Sequence, residues 1–162
     1  MHKLDQAKGD VMVTGDAAHA RSPFVGVWNL ESFTEQSKSS EELNPLGAAP
    51  VGFLIYTANG FVSAQLMRRD RKALGTDPWA PAESGQGANL ANGYIPYCGA
   101  YAVDEERGEV IHMPIVSLLP NLINRNQHRS FTFERDSLTL VTKQKDASGS
   151  IVESRLVWRR SH

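Results

Sequence analysis

Two apolar runs flank Asn59-Gly60, and this stretch limits the possible folds more than any other. Residues 50–69 read PVGFLIYTANGFVSAQLMRR. Asn-Gly is the dipeptide that most readily occupies the two positive-φ positions of a type I′ turn. The sequence therefore predicts a β-hairpin that is closed by a two-residue turn at Asn59 and Gly60.

This turn sets the predicted register of the hairpin, in which Tyr56 pairs with Ser63 and Leu54 pairs with Gln65. One face then carries Leu54, Tyr56, Ser63, Gln65 and Met67, and the other carries Phe53, Ile55, Val62, Ala64 and Leu66. Antiparallel hairpins usually leave one polar face in water, but both of these faces are largely apolar. We therefore predict that the first face lines a ligand-sized lumen and that the second lies under a partner or another segment.

Short strands and tight turns dominate the rest of the chain. Residues 25–36 predict a long first strand that bends, because Trp28 and Leu30 are out of phase with Phe33. The later alternating runs are separated by polar turns, and Pro120-Asn121 interrupts them where the chain is expected to cross one barrel mouth. About eight such strands indicate an all-β fold, a single up-and-down antiparallel barrel.

The predicted barrel domain covers residues 23–162. Residues 1–22 are rich in charge, glycine and alanine without a sustained period, and we expect them to form a flexible N-terminal arm. Residues 82–92 predict a short helix or lid between two strands.

Composition excludes several function classes. The 17 basic and 18 acidic residues are balanced, so no basic face for nucleic acid is expected. No run reaches the roughly 18 apolar residues of a membrane helix, which argues against membrane insertion. The single cysteine, Cys98, suits a reducing compartment, and we predict a cytoplasmic protein. Without a nucleotide fingerprint or clustered metal ligands, we expect neither a cofactor nor a metal.

Polar side chains inside an apolar barrel are the candidate functional residues, since burying a polar group is unfavourable unless it is bonded. Alternation sends Gln127, Arg129 and Phe131 inward. The guanidinium of Arg129 cannot lose its proton, and we predict no acidic residue at the same set of inward positions. Its acceptor is then a ligand carboxylate, enolate or carbonyl, or simply backbone oxygens.

Ten residues make up the predicted site. Arg129, Tyr101 and His112 are predicted as electrophilic or acid/base catalytic groups. The predicted ligand-binding residues are Tyr56, Gln65, Met67, Tyr97, Asn121, Gln127 and Phe131. Each has a structural alternative: an inward tyrosine can bond a carbonyl within the core, and His112 can be a bonded core histidine.

Several stretches resemble a known family. Gly26-Val27-Trp28, together with LVWRR at residues 156–160, resembles the lipocalin/calycin signature, in which an arginine packs across the tryptophan and closes one barrel end. Alternation favours Arg160 over Arg159 for that role. Residues 50–57, 63–68, 97–105 and 127–131 and the pair Pro120-Asn121 are similar to the lipocalin-like domain proteins of bacteria and fungi. Met113-Pro114 departs from the family pattern and predicts an edge strand or a bulge.

The resemblance implies a small-molecule barrel, and such barrels include both carriers and enzymes. The first hypothesis is a cofactor-free, pericyclase-like cyclase or isomerase that acts on a hydrophobic oxygenated metabolite in natural-product biosynthesis. The alternative is a non-catalytic carrier or sensor of a small lipophilic ligand, such as a fatty or aromatic acid. A third possibility is a homodimer that forms through the outer face of the hairpin at residues 51–67.

Overall fold

Eight antiparallel strands form a closed barrel in the computed structural model, which describes residues 22–37, 41–73 and 91–162. Each strand pairs with its neighbours in sequence, and β1 pairs with β8 to close the cylinder. This confirms the predicted all-β, up-and-down barrel. The strands are β1 (Gly26–Ser37), β2 (Val51–Tyr56), β3 (Phe61–Met67), β4 (Tyr94–Asp104), β5 (Glu109–Ser117), β6 (Gln127–Glu134), β7 (Ser137–Lys145) and β8 (Ile151–Arg160).

The predicted arm at residues 1–22 and the predicted helix or lid at residues 82–92 lie outside the described residues, apart from Ser22, Ala91 and Asn92. The domain boundary at residue 23 stays a prediction. Within the described ranges, no helix is long and apolar enough to cross a membrane.

The first strand is bent, as predicted. Its register with β8 shifts between Leu30 and Ser32, where a bulge inserts one extra residue. Leu30 and Phe33 are therefore both buried although they are three residues apart. The same shift turns Glu35, two residues beyond Phe33, towards the interior.

The β2–β3 hairpin differs from the prediction by one residue. Tyr56 pairs with Val62 rather than with Ser63. Positive φ occurs at Gly60 (84°) and not at Asn59. The amide of Thr57 donates to the carbonyl of Phe61 at 2.9 Å, so the loop has three residues and ends on a left-handed glycine. The predicted two-residue type I′ turn is wrong.

This slip reverses the predicted faces of β3, because side chains alternate along a strand. Val62, Ala64 and Leu66 are buried inside the barrel. Gln65 and Met67 lie on the outer face, where the hydroxyl of Tyr94 donates to Oε1 of Gln65 at 2.5 Å. Their predicted place in the lumen wall is wrong.

One end of the barrel is closed by Arg160. Its guanidinium carbon lies 4.1 Å from the centroid of the Trp28 ring. Its two terminal nitrogens donate to the carbonyls of Val25 at 3.0 Å and Pro23 at 2.6 Å. Arg159 instead pairs on the outer surface with Glu31, which confirms that Arg160 has the closing role.

Aromatic side chains fill this closed end. The indole Nε1 of Trp28 donates to the carbonyl of Phe24 at 2.8 Å. The ring of Phe24 in turn lies 4.9 Å from Phe131 and from Phe133, and 5.2 Å from Tyr56, in edge-to-face geometry. The closed end is therefore a packed core.

The strand that contains Pro114 is bulged, as its sequence predicts. The β4–β5 register shifts between Cys98 and Gly99, opposite Pro114. β6 begins at Gln127, opposite His112, so β5 continues beyond the start of its neighbour. A 3-10 turn, Pro120–Leu122, connects them at the other end of the barrel.

Candidate functional site

A cavity of about 410 Å³ lies at the open end of the barrel. This volume falls within the range of roughly 300–1,000 Å³ that is usual for small-molecule pockets. Its apolar wall includes Phe33, Leu54, Leu66, Ile95, Leu119, Leu122, Leu140 and Leu156. Its polar lining includes Glu35, Asn126, Gln127, Arg129, Thr142 and Ser154. The cavity thus combines an apolar wall with several hydrogen-bonding groups.

Arg129 brings a positive charge to this cavity. Its Nη1 donates to the carbonyl of Gln127 at 3.0 Å, and its guanidinium carbon lies 5.8 Å from the centroid of the Tyr97 ring. None of the ion pairs among the described residues includes Arg129. Most of its N–H donors are therefore available to a guest molecule.

A hydrogen-bonded chain of three side chains runs behind Arg129. The hydroxyl of Tyr97 lies 2.8 Å from Nδ1 of His112, and the hydroxyl of Tyr56 lies 2.6 Å from Nε2 of the same ring. Tyr97 lines the cavity, whereas His112 and Tyr56 are buried behind it. Both imidazole nitrogens are thus occupied by phenols.

Burial controls the protonation of this chain. Desolvation, with a smaller contribution from the charge of Arg129, lowers the pKa of His112 well below its ordinary value. Desolvation also raises the pKa of Tyr97, against the opposing effect of Arg129, and raises that of Tyr56. All three groups are neutral at physiological pH. A neutral imidazole has one N–H, so one phenol accepts a hydrogen bond from it and the other donates.

Tyr101 lies away from the cavity. Its hydroxyl donates to the carbonyl of Thr57 at 3.2 Å, and its ring packs 4.8 Å from Tyr56. The structure therefore does not bring together the predicted catalytic group of Arg129, Tyr101 and His112. Of these three residues, Arg129 alone lines the cavity.

The lipocalin-like domain family matches residues 25–161, a range that includes all eight strands. The chain belongs to the lipocalin-like family. No curated protein is significantly similar to the chain. A lipocalin-like barrel with an apolar cavity at its open end fits the binding of a small hydrophobic ligand.

Of the remaining predicted ligand-binding residues, one lines the cavity of the lipocalin-like barrel and the others lie elsewhere. Gln127 lines the cavity. Phe131 instead packs against Phe24 in the closed end. Asn121 is exposed on the 3-10 turn, while its neighbour Leu122 lines the cavity.

Sequence analysis missed a carboxylate in the lipocalin-like lumen. The hydroxyl of Ser154 donates to Oε1 of Glu35 at 2.9 Å, and both residues line the cavity. The prediction that no acidic residue faces inward is therefore wrong. Two signals were available, since the alternation of Leu156 and Trp158 extends to Ser154 and the predicted bend in β1 changes the phase of Glu35.

Trp158 was also missed as a site residue. Its indole lines the cavity and is 1% exposed. Its Nε1 is the single buried side-chain nitrogen or oxygen without a hydrogen-bond partner among the described residues. The alternation that favours Arg160 also places Trp158 on the inward side of β8, but its unpaired N–H depends on tertiary packing.

Proposed function

We propose that the protein binds a small lipophilic molecule through an acceptor oxygen that meets Arg129. The observation that carries this proposal is the Arg129 guanidinium in a cavity with a largely apolar wall, where it forms no ion pair with a carboxylate among residues 22–37, 41–73 and 91–162. A ligand carboxylate, enolate or carbonyl would accept charge-assisted hydrogen bonds there. The function that this geometry supports best is that of a carrier or sensor, for example of a fatty or aromatic acid.

The unpaired indole N–H of Trp158 supports the same ligand chemistry. A buried donor without an acceptor costs about 1–3 kcal/mol. A ligand oxygen that reached Nε1 would remove this penalty. Both Arg129 and Trp158 thus favour a ligand that accepts hydrogen bonds.

A second candidate function is a cofactor-free cyclase or isomerase that acts on a hydrophobic oxygenated metabolite in natural-product biosynthesis. The observation that favours it is the contact of Arg129 with Tyr97, whose hydroxyl is held by His112. In this mechanism Arg129 would polarise a substrate carbonyl and Tyr97 would donate a hydrogen bond to it. His112 would act as a positioning residue through Tyr97, and the cavity wall would hold the substrate in a reactive conformation.

Binding is tested by calorimetric titration with decanoic acid and with 1-decanol, which lacks the carboxylate. Hydrogen bonds to a charged group contribute about 1.5–3 kcal/mol, so Arg129→Met should weaken decanoate binding by about tenfold or more. It should leave decanol binding nearly unchanged. The matched control is Arg155→Met, an exposed arginine on β8. Equal decanoate affinity in all three proteins would overturn the proposal.

Catalysis is tested with a lipophilic extract of the cells that make the protein, analysed by liquid chromatography and mass spectrometry. An isomerase would convert one compound into another of identical mass, and Tyr97→Phe would reduce this conversion while substrate binding persists. A carrier would enrich a compound without changing it. Enrichment without any conversion by the wild-type protein would count against the enzyme hypothesis.

The homodimer and the cytoplasmic location stay predictions. The apolar residues on the outer face of the hairpin differ from the predicted set. Phe53 and Phe61 are 47% and 46% exposed, whereas the predicted Val62, Ala64 and Leu66 lie inside the barrel. Ile115 and Val116 on β5 are also exposed, by 59% and 60%. The mass of a single chain in light scattering at micromolar concentration would contradict the dimer.

A further inference from the structure

We propose that Glu35 and Ser154 form a second polar subsite in the lumen, which selects ligands that carry a hydrogen-bond donor in addition to the acceptor that meets Arg129. The ligand class is a lipophilic acid or carbonyl compound with a hydroxyl or amino group at a distance from its acceptor end. This inference rests on the proposed function of Arg129 as the acceptor site.

The Glu35 carboxylate is held in place but only partly used. The hydroxyl of Ser154, a side chain that is 5% exposed, donates to Oε1 of Glu35 at 2.9 Å. Among the described residues, no lysine, arginine or histidine forms an ion pair with Glu35. An ionised carboxylate accepts hydrogen bonds and donates none. Its remaining capacity therefore matches a donor on a bound molecule.

The lysine in the cavity lining already has a partner. Lys143 lines the cavity, but its ammonium group pairs with Glu153 at 3.3 Å. Among the described residues, the carboxylate of Glu35 therefore has no compensating cation. Among the described side chains, a donor on the ligand therefore shares Glu35 with the Ser154 hydroxyl and with no cation.

Strand register places Glu35 and Arg129 at the two ends of one polar belt. Glu35 pairs with Ser154, and Ser154 pairs with Thr142. The β6–β7 pairing runs to Ser130 and Val141, and Arg129 and Thr142 are the next residues on those strands. The belt thus consists of Glu35, Ser154, Thr142 and Arg129 on four neighbouring strands, all of which line the cavity.

The two charged ends of the belt lie on different walls of the lumen. Three strand spacings separate their backbones, which is about 14 Å measured around the curved barrel wall at the usual distance between strands. Their side chains form no ion pair with each other. The opposite wall of the cavity is apolar. A molecule with an acceptor at one end, a donor at the other and a hydrocarbon body matches this distribution.

The test compares straight-chain acids of eight, ten and twelve carbons with their ω-hydroxy derivatives by calorimetric titration. At the chain length that binds best, the wild-type protein should prefer the hydroxy acid by about tenfold, because a hydroxyl that donates to a carboxylate contributes more than a neutral pair. Glu35→Leu should abolish this preference. Glu35→Gln, which keeps one acceptor oxygen, should retain part of it and serves if the leucine variant does not fold.

Two further variants separate this inference from the proposed function. Arg129→Met should weaken binding of both acids of a pair and leave the ratio of their affinities unchanged. Glu134→Gln, which changes an exposed carboxylate at the end of β6, should change neither affinity. Equal wild-type affinity for both acids, or a preference that survives Glu35→Leu, would overturn the second subsite while the role of Arg129 stands. Acids that bind independently of Arg129, or that do not bind, would overturn the proposed function and this inference with it.

Discussion

The two ends of the barrel are built from the same eight strands but are filled differently. At the closed end, Arg160 covers Trp28, and Phe24 brings three aromatic rings together beneath it. At the open end, the side chains leave a cavity of about 410 Å³ and expose Arg129 to it. Dense packing stabilises a fold, while incomplete packing leaves space for a ligand. We infer that the closed end maintains the barrel and that the open end is free to recognise a ligand.

His112 lies at the boundary between these two regions. It is fully buried, and its two hydrogen bonds join Tyr97 in the cavity wall to Tyr56 in the packed core. Buried polar groups are destabilising unless they are satisfied, and this imidazole is satisfied on both sides. His112 therefore holds Tyr97 in place from behind.

The largest effect should come from truncating the closed end. Trp28→Ala should lower the free energy of unfolding by about 3–5 kcal/mol, because the indole is fully buried among ring contacts. Leu66→Ala, whose side chain borders the cavity, should cost about 2 kcal/mol or less, because part of its surface has no packing partner to lose. Urea denaturation measures both values. Equal losses would contradict the difference between the two ends.

Removing the arginine that closes the barrel should have the next largest effect. Arg160→Met loses a cation–π contact and two hydrogen bonds to carbonyls, and should cost about 2–4 kcal/mol. Arg159→Met, the adjacent surface arginine, should leave the urea midpoint nearly unchanged. A larger loss for Arg159→Met than for Arg160→Met would reverse the assignment of the closing residue.

His112, at the boundary between the two ends, should make the free energy of unfolding depend on pH. The pKa of His112 is depressed in the folded protein, so the unfolded chain binds more protons below about pH 6.5. Stability from this group is present above that pH and should fall with acidification, by up to about 1.4 kcal/mol per pH unit, until the folded pKa is reached. Urea midpoints at pH 7.5 and 5.5 should differ more for the wild-type protein than for His112→Phe. An identical change in the urea midpoint between the two pH values in both proteins would show that His112 is not the group responsible.

The smallest effect on stability should come from the charged residue of the open end. Arg129→Met should lower the free energy of unfolding by no more than about 1 kcal/mol, since the guanidinium makes one hydrogen bond to a backbone carbonyl, a 5.8 Å contact with the Tyr97 ring and no ion pair among the described residues. Urea denaturation without ligand provides this value. A loss above about 2 kcal/mol would assign Arg129 to the structural part of the barrel.

The barrel and its closed end could be predicted from the sequence. Alternation and turn signals indicated about eight strands, and the phase change between Leu30 and Phe33 indicated the bend in β1. The alternation of Leu156 and Trp158 selected Arg160 over Arg159. These predictions succeeded because each depends on residues that are close together in the chain, where strand geometry alone decides which way a side chain points.

The hairpin and the polar lining show where this local argument failed. Asn59-Gly60 is compatible with both a two-residue and a three-residue hairpin loop. Because the loop has three residues, the register of β3 differs by one residue and Gln65 and Met67 lie on the outer face. Inward alternation also could not separate Arg129, which reaches the cavity, from Tyr101, which bonds Thr57 near the closed end. Alternation describes which side of the sheet a residue occupies but not its depth along the barrel axis.

Local chemistry therefore determined the kind of fold, because β-alternation and turn preferences act over a few neighbouring residues. Tertiary structure alone decided which inward polar groups share one level of the lumen. Glu35, Ser154, Thr142 and Arg129 come from four strands spread over most of the chain, and they lie side by side only because the strand registers and the β1 bulge bring them to the same height.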